Sequence, residues 1–206
     1  MYCSDCGAQA TGNFCAHCGT TLCPVEEELI LLADWREEIR YELLLRFPEV
    51  RKHVTRHVKQ AQKQMSGERF LELCDRAFEP LVGVSLHTVA SIVVPIYARM
   101  GIRTGKSRSE YIPIPTGQAL VAALCSLALY GRSVEHVHQG EDGCVIEAVL
   151  PSDIWSWEGQ LIISIERSGR GTQVDAATKI AGQLFDWGKS KQCLNQLFED
   201  VETLLG

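Results

Sequence analysis

Positive charge is what this sequence is short of. Twenty lysines and arginines face 26 aspartates and glutamates in 206 residues, a formal net charge of −6. A chain of that sign is not drawn as a whole to nucleic acid or to an anionic bilayer. Compositional bias is missing too. Hydrophobic residues are 46% and charged residues 22%, which excludes a disordered, collagen-like or low-complexity chain. The N-terminus, Met-Tyr-Cys-Ser-Asp-Cys, lacks the basic segment and apolar run of a secretory signal peptide. No Gly-x-Ser-x-Gly elbow places a serine nucleophile, and no His-Glu-x-x-His pair places a metal beside a base. Two segments imitate a phosphate-binding loop, but Gly101 and Gly105-Lys106-Ser107 enclose three residues, and Gly182 and Gly188-Lys189-Ser190 enclose five. Backbone amides need four there to wrap a phosphate, so nucleotide hydrolysis is not expected.

Long apolar runs are scarce as well. Residues 81–98 and 111–131 carry no formal charge and are each about as long as a membrane span. Pro113 and Pro115 leave only 118–130 of the second run as helix, about 20 Å at 1.5 Å per residue, too short to cross. The first run is broken by Ser85, His87, Thr88, Ser91 and Pro95. Both are expected to be core helices.

What is present in excess is cysteine, nine residues, four of them in the first eighteen positions. An odd number of thiols fits a reducing compartment, so a cytoplasmic protein is expected. Cys3-x-x-Cys6-Gly and Cys15-x-x-Cys18-Gly repeat one element eight residues apart. The glycine after each pair lets backbone amides turn toward sulfur. Two such knuckles face to face offer four thiolates in a tetrahedron at about 2.3 Å from one zinc, with no position left for water, so the metal is expected to be structural. Tyr2-Cys3-Ser4-Asp5-Cys6-Gly7 and Asn13-Phe14-Cys15-Ala16-His17-Cys18-Gly19 resemble the small zinc ribbons that open many bacterial proteins. That resemblance covers residues 1–23 and implies a docking role for protein or nucleic acid without implying a reaction. His17 is expected to point outward and Cys23 to be a packed thiol.

The remainder reads as helices followed by strands. After Pro24 an acid-led helix is expected to about Arg46, with Leu29, Leu32, Trp35, Ile39, Leu43 and Phe47 on one stripe. A second helix begins near Glu49 with Val50, Val54 and Val58 on one face, and Ser66 caps a third. Residues 84–100 are expected as a fourth helix, Gly101–Pro115 as a connector and Gln118–Tyr130 as a fifth helix. Alternation then predicts strands over 134–139, 144–150, 161–166 and 173–180. Leu194, Leu197, Phe198, Val201 and Leu205 mark an amphipathic final helix. The expected fold is α+β: a zinc ribbon over 1–23, a helical region over 24–110, and over 111–206 a four-stranded antiparallel sheet with a packed terminal helix. Through Trp155-Ser156-Trp157-Glu158-Gly159 and Gln183–Lys191, residues 132–205 resemble an uncharacterised bacterial α+β domain of the kind compared with lipid-transfer or cyclase-like helix-grip folds. The sequence offers too few strands for a complete barrel of that kind.

Three constellations carry chemistry. The second helix holds Arg51, Lys52, Arg56, Lys59 and Lys63 with His53 and His57 against one acid, Glu49, a phosphate-contacting face on an acidic protein. No aromatic residue interleaves, so base stacking is not suggested. His136 and His138 lie two apart on a strand, with Glu147 as a further polar group, and a pair facing solvent is expected. Cys74, Cys125, Cys144 and Cys193 stand singly in apolar segments, as core thiols rather than nucleophiles. The function expected is that of a binding or adaptor protein with a protein partner and one structural zinc on Cys3, Cys6, Cys15 and Cys18. Catalytic residues are not expected. The alternatives are nucleic-acid binding through the ribbon and helix 49–65, or a small-ligand or enzymatic site beside the sheet.

Overall fold

The computed structural model describes residues 6–9, 17–18, 34–61, 66–80, 106–152, 158–180 and 188–205. The chain divides into two compact units, Met1–Asp34 and Trp35–Gly206. In the first, Cys6 and Cys18 are exposed and Gly7 adopts a left-handed backbone with φ +68°. Cys3 and Cys15 lie outside the described residues, as do Cys23, the expected helix over 84–100 and the two tryptophans at 155 and 157.

The second unit is α+β, with helices stacked on one sheet. Its elements run α1 (Tyr41–Leu44), α2 (Pro48–Gln60), α3 (Gly67–Arg76), β1 (Phe78–Pro80), β2 (Ser107–Ile112), α4 (Thr116–Leu129), β3 (Val134–Gln139), β4 (Gly143–Leu150), β5 (Gly159–Ser168), β6 (Gly171–Lys179) and α5 (Lys189–Thr203). The strand order is β1-β3-β4-β5-β6-β2. Five strands are antiparallel, from β3 across to β2, and the short β1 joins β3 in parallel. The expectation of four strands is thus corrected to five antiparallel ones. The strand not foreseen is β2, read from sequence as connector. It pairs with β6 along its whole length, Ser107 opposite Ala177 and Ile112 opposite Thr172. It sits at the edge of the sheet, where Ser107 and Ser109 face solvent, Arg108 and Glu110 are half-buried, and no apolar alternation is required.

Each helix start has a local cause. Pro48 opens α2 at a position where a missing N–H costs nothing. The Ser66 hydroxyl accepts from the Arg69 amide at 3.1 Å and caps α3. α4 ends before Gly131, whose φ of +61° makes the turn into β3. The expected helix over 25–46 is corrected within the described residues: 35–37 form a turn, 38–40 are not helical and only Tyr41–Leu44 is helix. Tertiary contact overrides the helical stripe. The Trp35, Arg36 and Glu38 carbonyls close over the start of α4, where a Cβ on Gly117 would lie 2.3–2.7 Å from them. The Gln118 amide donates to the Arg36 carbonyl at 3.1 Å.

Sheet alternation sets the core. Val137, Ile146, Ile163, Ala176 and Arg108 form one cross-strand row on the helix-facing side. Val137, Ile146 and Ile163 are fully buried. α4 is apolar on nearly every side and lies against α2, α5 and the β5–β6 strands, so Ala119 through Ala128 are buried. α5 buries Cys193, Leu194, Leu197, Phe198 and Val201 against α4, β6 and β2. Arg108 places its guanidinium 4.6 Å from the centre of the Phe198 ring. No helix among the described residues is long and apolar enough to cross a membrane. Of the two charge-free runs, 111–131 contains the end of β2 and the buried α4, and 81–98 lies outside the described residues.

Candidate functional site

The basic residues of α2 line a groove with α3. Arg51, Thr55 and Lys59 fall one turn apart on one ridge, and Lys52 and Arg56 occupy the adjacent ridge. With Glu68 and Leu71 of α3 they line an open groove of about 480 Å³. Its floor is fixed by a close helix crossing, since a Cβ on Gly67 would lie 2.7 Å from Thr55 Cγ2 and 2.9 Å from its Oγ1. Val50, Val54 and Val58 on the opposite side of α2 are buried against α4, which holds the cations outward.

Among the described residues none of these four cations has an acidic partner. Arg51 donates only to the Leu45 carbonyl at 3.4 Å, and Arg56 to His53 Nδ1 at 3.4 Å. Glu38 pairs with Arg40 at 2.7 Å, Glu42 with Arg46 and Glu72 with Arg69 at 3.0 Å, while Glu68 lines the groove with the four cations. The face is therefore a net positive field. Burial, then the charges of Arg56, His57 and Arg36, hold the His53 imidazolium below its ordinary range. His57 is buried and donates from Nδ1 to the His53 carbonyl at 2.8 Å. Lys63 lies outside the described residues. Sequence reading found the cations but missed Thr55 and the α3 wall, although Thr55 stands midway on the Arg51–Lys59 ridge.

On the sheet surface away from α5, His138 aligns with Val145, Ser164, Asp175 and Ser109 across five strands, and His136 with Glu147 and Ile162. His138 Nε2 lies 3.6 Å from Glu147 Oε1, and the two side chains are 20% and 13% exposed. The expected solvent-facing histidine pair is thus half realised: His136 is exposed, while His138 is largely enclosed beside Glu147. Their rings are nearly parallel with centroids 6.2 Å apart. No group among the described residues has the arrangement of a metal site.

Cys74, Cys125, Cys144 and Cys193 are all buried. Burial pushes the Cys74 and Cys125 thiols up to about 12 and those of Cys144 and Cys193 upward as well, so none is a ready thiolate near neutral pH. A further buried polar group was not foreseen. The Ser126 hydroxyl of α4 donates to Asp200 Oδ2 of α5 at 2.7 Å, and Asp200 is 9% exposed. Asp200 sits within the buried stripe, three residues after Leu197, which is the sequence signal for it. Lys189 at the start of α5 donates to the Pro151 carbonyl.

Comparison with protein families and with curated proteins finds no match. The crystal structure of Ara h 8.0201 is similar over 49% of this chain and 96% of its own, at 9% identity and a TM-score of 0.29. A likeness that weak carries no argument about fold or ligand.

Proposed function

We propose that the chain is a binding protein of the adaptor kind, with a protein partner and one structural zinc. The observation that carries this reading is the face of α2. Arg51, Lys52, Arg56 and Lys59 stand without acidic partners among the described residues, on a chain whose net charge is −6. A concentrated positive surface on an acidic molecule selects an acidic partner locally while the remaining charge repels nonspecific ones. Zinc is supported by its donor set, since four thiolates from Cys3, Cys6, Cys15 and Cys18 are the ligands zinc takes in closed structural sites. The left-handed backbone of Gly7, directly after Cys6, suits a knuckle turn.

The test compares proteins retained from native cells by the wild type and by a Lys52→Glu/Lys59→Glu variant. Salt is raised from about 50 mM to about 500 mM, which shortens electrostatic reach severalfold. Acidic proteins held by the wild type should be released by salt and missing from the variant. Equal retention by the variant rejects α2 as the surface. Retention that vanishes after nuclease treatment assigns nucleic acid as the partner.

A second reading has its own observation. The close approach of His138 and Glu147 on the sheet offers a polar pair for a small ligand or an acid–base step. A Glu147→Gln variant that leaves every binding property unchanged removes that reading.

A further inference from the structure

We infer that the groove between α2 and α3 recognises a phosphate monoester on a side chain of the protein partner. This rests on the reading of the α2 face as the partner surface and names what that surface reads. Arg51, Lys52, Arg56 and Lys59 fall within about 12 Å along the helix axis, at 1.5 Å per residue. They surround Thr55, one turn before it, one turn after it and beside it. Four cations lining one groove suit a compact dianion with three acceptor oxygens, which takes several charge-assisted hydrogen bonds at once. A run of carboxylates would call for cations spread along a longer strip. The groove is open and offers about 480 Å³, room for a phosphorylated side chain. Thr55 braced on Gly67 keeps its floor in place, and Leu71 gives an apolar wall for the residue beside the phosphate. Glu68 stands in the same lining. A continuous nucleic-acid backbone would have to carry further phosphates past that carboxylate, whereas a single phosphorylated side chain need not.

Two peptide pools test this, degenerate around a fixed phosphoserine or around a fixed aspartate, together with a random single-stranded RNA. All are applied to the immobilised full chain and to Arg51→Ala, Arg56→Ala and Lys191→Ala variants. The phosphoserine pool should be retained over the aspartate pool by about tenfold or more, the difference expected when a dianion replaces a monoanion among several cations. Arg51→Ala and Arg56→Ala should erase that preference, and Lys191→Ala should leave it intact. Both arginines are exposed, so the folded state should survive their loss and an unchanged unfolding midpoint should verify it. Equal retention of the two pools that still depends on Arg51 and Arg56 overturns the phosphate inference and leaves the partner surface standing. RNA held in preference to either pool also overturns it. Retention indifferent to both arginines, or no retention at all of the pools, overturns the inference, and indifference to the arginines removes the α2 surface with it.

Discussion

Asp200 is a carboxylate buried within an apolar stripe of α5. Burial lifts its carboxyl above the usual carboxylate range, against the opposing pull of the Ser126 hydroxyl and the Arg132 guanidinium. Glu199 adds to the rise and His57 to the fall. A carboxyl raised in the folded state favours folding most when protonated, below its unfolded value of about 3.9. That contribution is lost as pH climbs through the raised folded value. Asparagine at this position keeps an acceptor for Ser126 and removes the charge. Asp200→Asn should therefore unfold at a higher temperature than the wild type at neutral pH, and the advantage should close as the pH drops toward about 4. Thermal unfolding across that range measures it. A variant less stable than the wild type at neutral pH would show that the attraction of Arg132, not desolvation, governs the site.

Among the elements, α5 was the most legible in the sequence because its stripe repeats at helical spacing and has a single apolar side. Phe198 lies at the centre of that stripe, 1% exposed and stacked under Arg108. Phe198→Ala should cost about 3–5 kcal/mol, a transfer loss plus a cavity that α4 and β6 cannot close. Lys191→Ala, on the exposed side, should cost under about 0.5 kcal/mol. Denaturant unfolding of the two variants gives both numbers. An unchanged midpoint for Phe198→Ala would mean that the stripe is not part of the core. α4 was legible as a helix, but not its facing, because a segment apolar on all sides gives no direction. β2 was illegible for the opposite reason: only Ile112 is buried, and its partner strand begins more than fifty residues later. The helix expected over 25–46 fitted the periodicity through Trp35, Ile39 and Leu43, and the carbonyl contacts over Gly117 prevailed in its described part. The approach of His138 to Glu147 needs the strand register, including an irregularity between Val134 and His136, which no local pattern encodes.

For the whole molecule, the division at Asp34 and Trp35 separates the cysteine-rich segment from a unit with its own core. Zinc bound by Cys3, Cys6, Cys15 and Cys18 should therefore stabilise the first unit without being needed by the second. Purified protein should hold about one zinc per chain. Chelation or Cys15→Ser should release it, while hydrogen exchange of α4, β4 and β5 stays as slow as before. Stoichiometric zinc in a variant with all four cysteines changed to serine would reject the assignment, and collapse of β4 and β5 protection on chelation would reject the independence of the second unit.

The edge position of β2 also sets the order in which the molecule can be made. Its partner β6 emerges from the ribosome some 60–70 residues later, Ser107 waiting for Ala177 and Ile112 for Thr172. At about 5–20 residues per second that is a delay of roughly 3–14 s. The β3–β6 meander can close hairpin by hairpin as it appears, so β2 waits unpaired until β6 is made, as the short β1 waits for β3. A waiting strand with a free backbone ladder is a template for other chains, and charge is what discourages them. The Ser-Arg-Ser-Glu opening of β2, which hid it from sequence reading, is thus the composition that lets the nascent chain hold an open edge without aggregating.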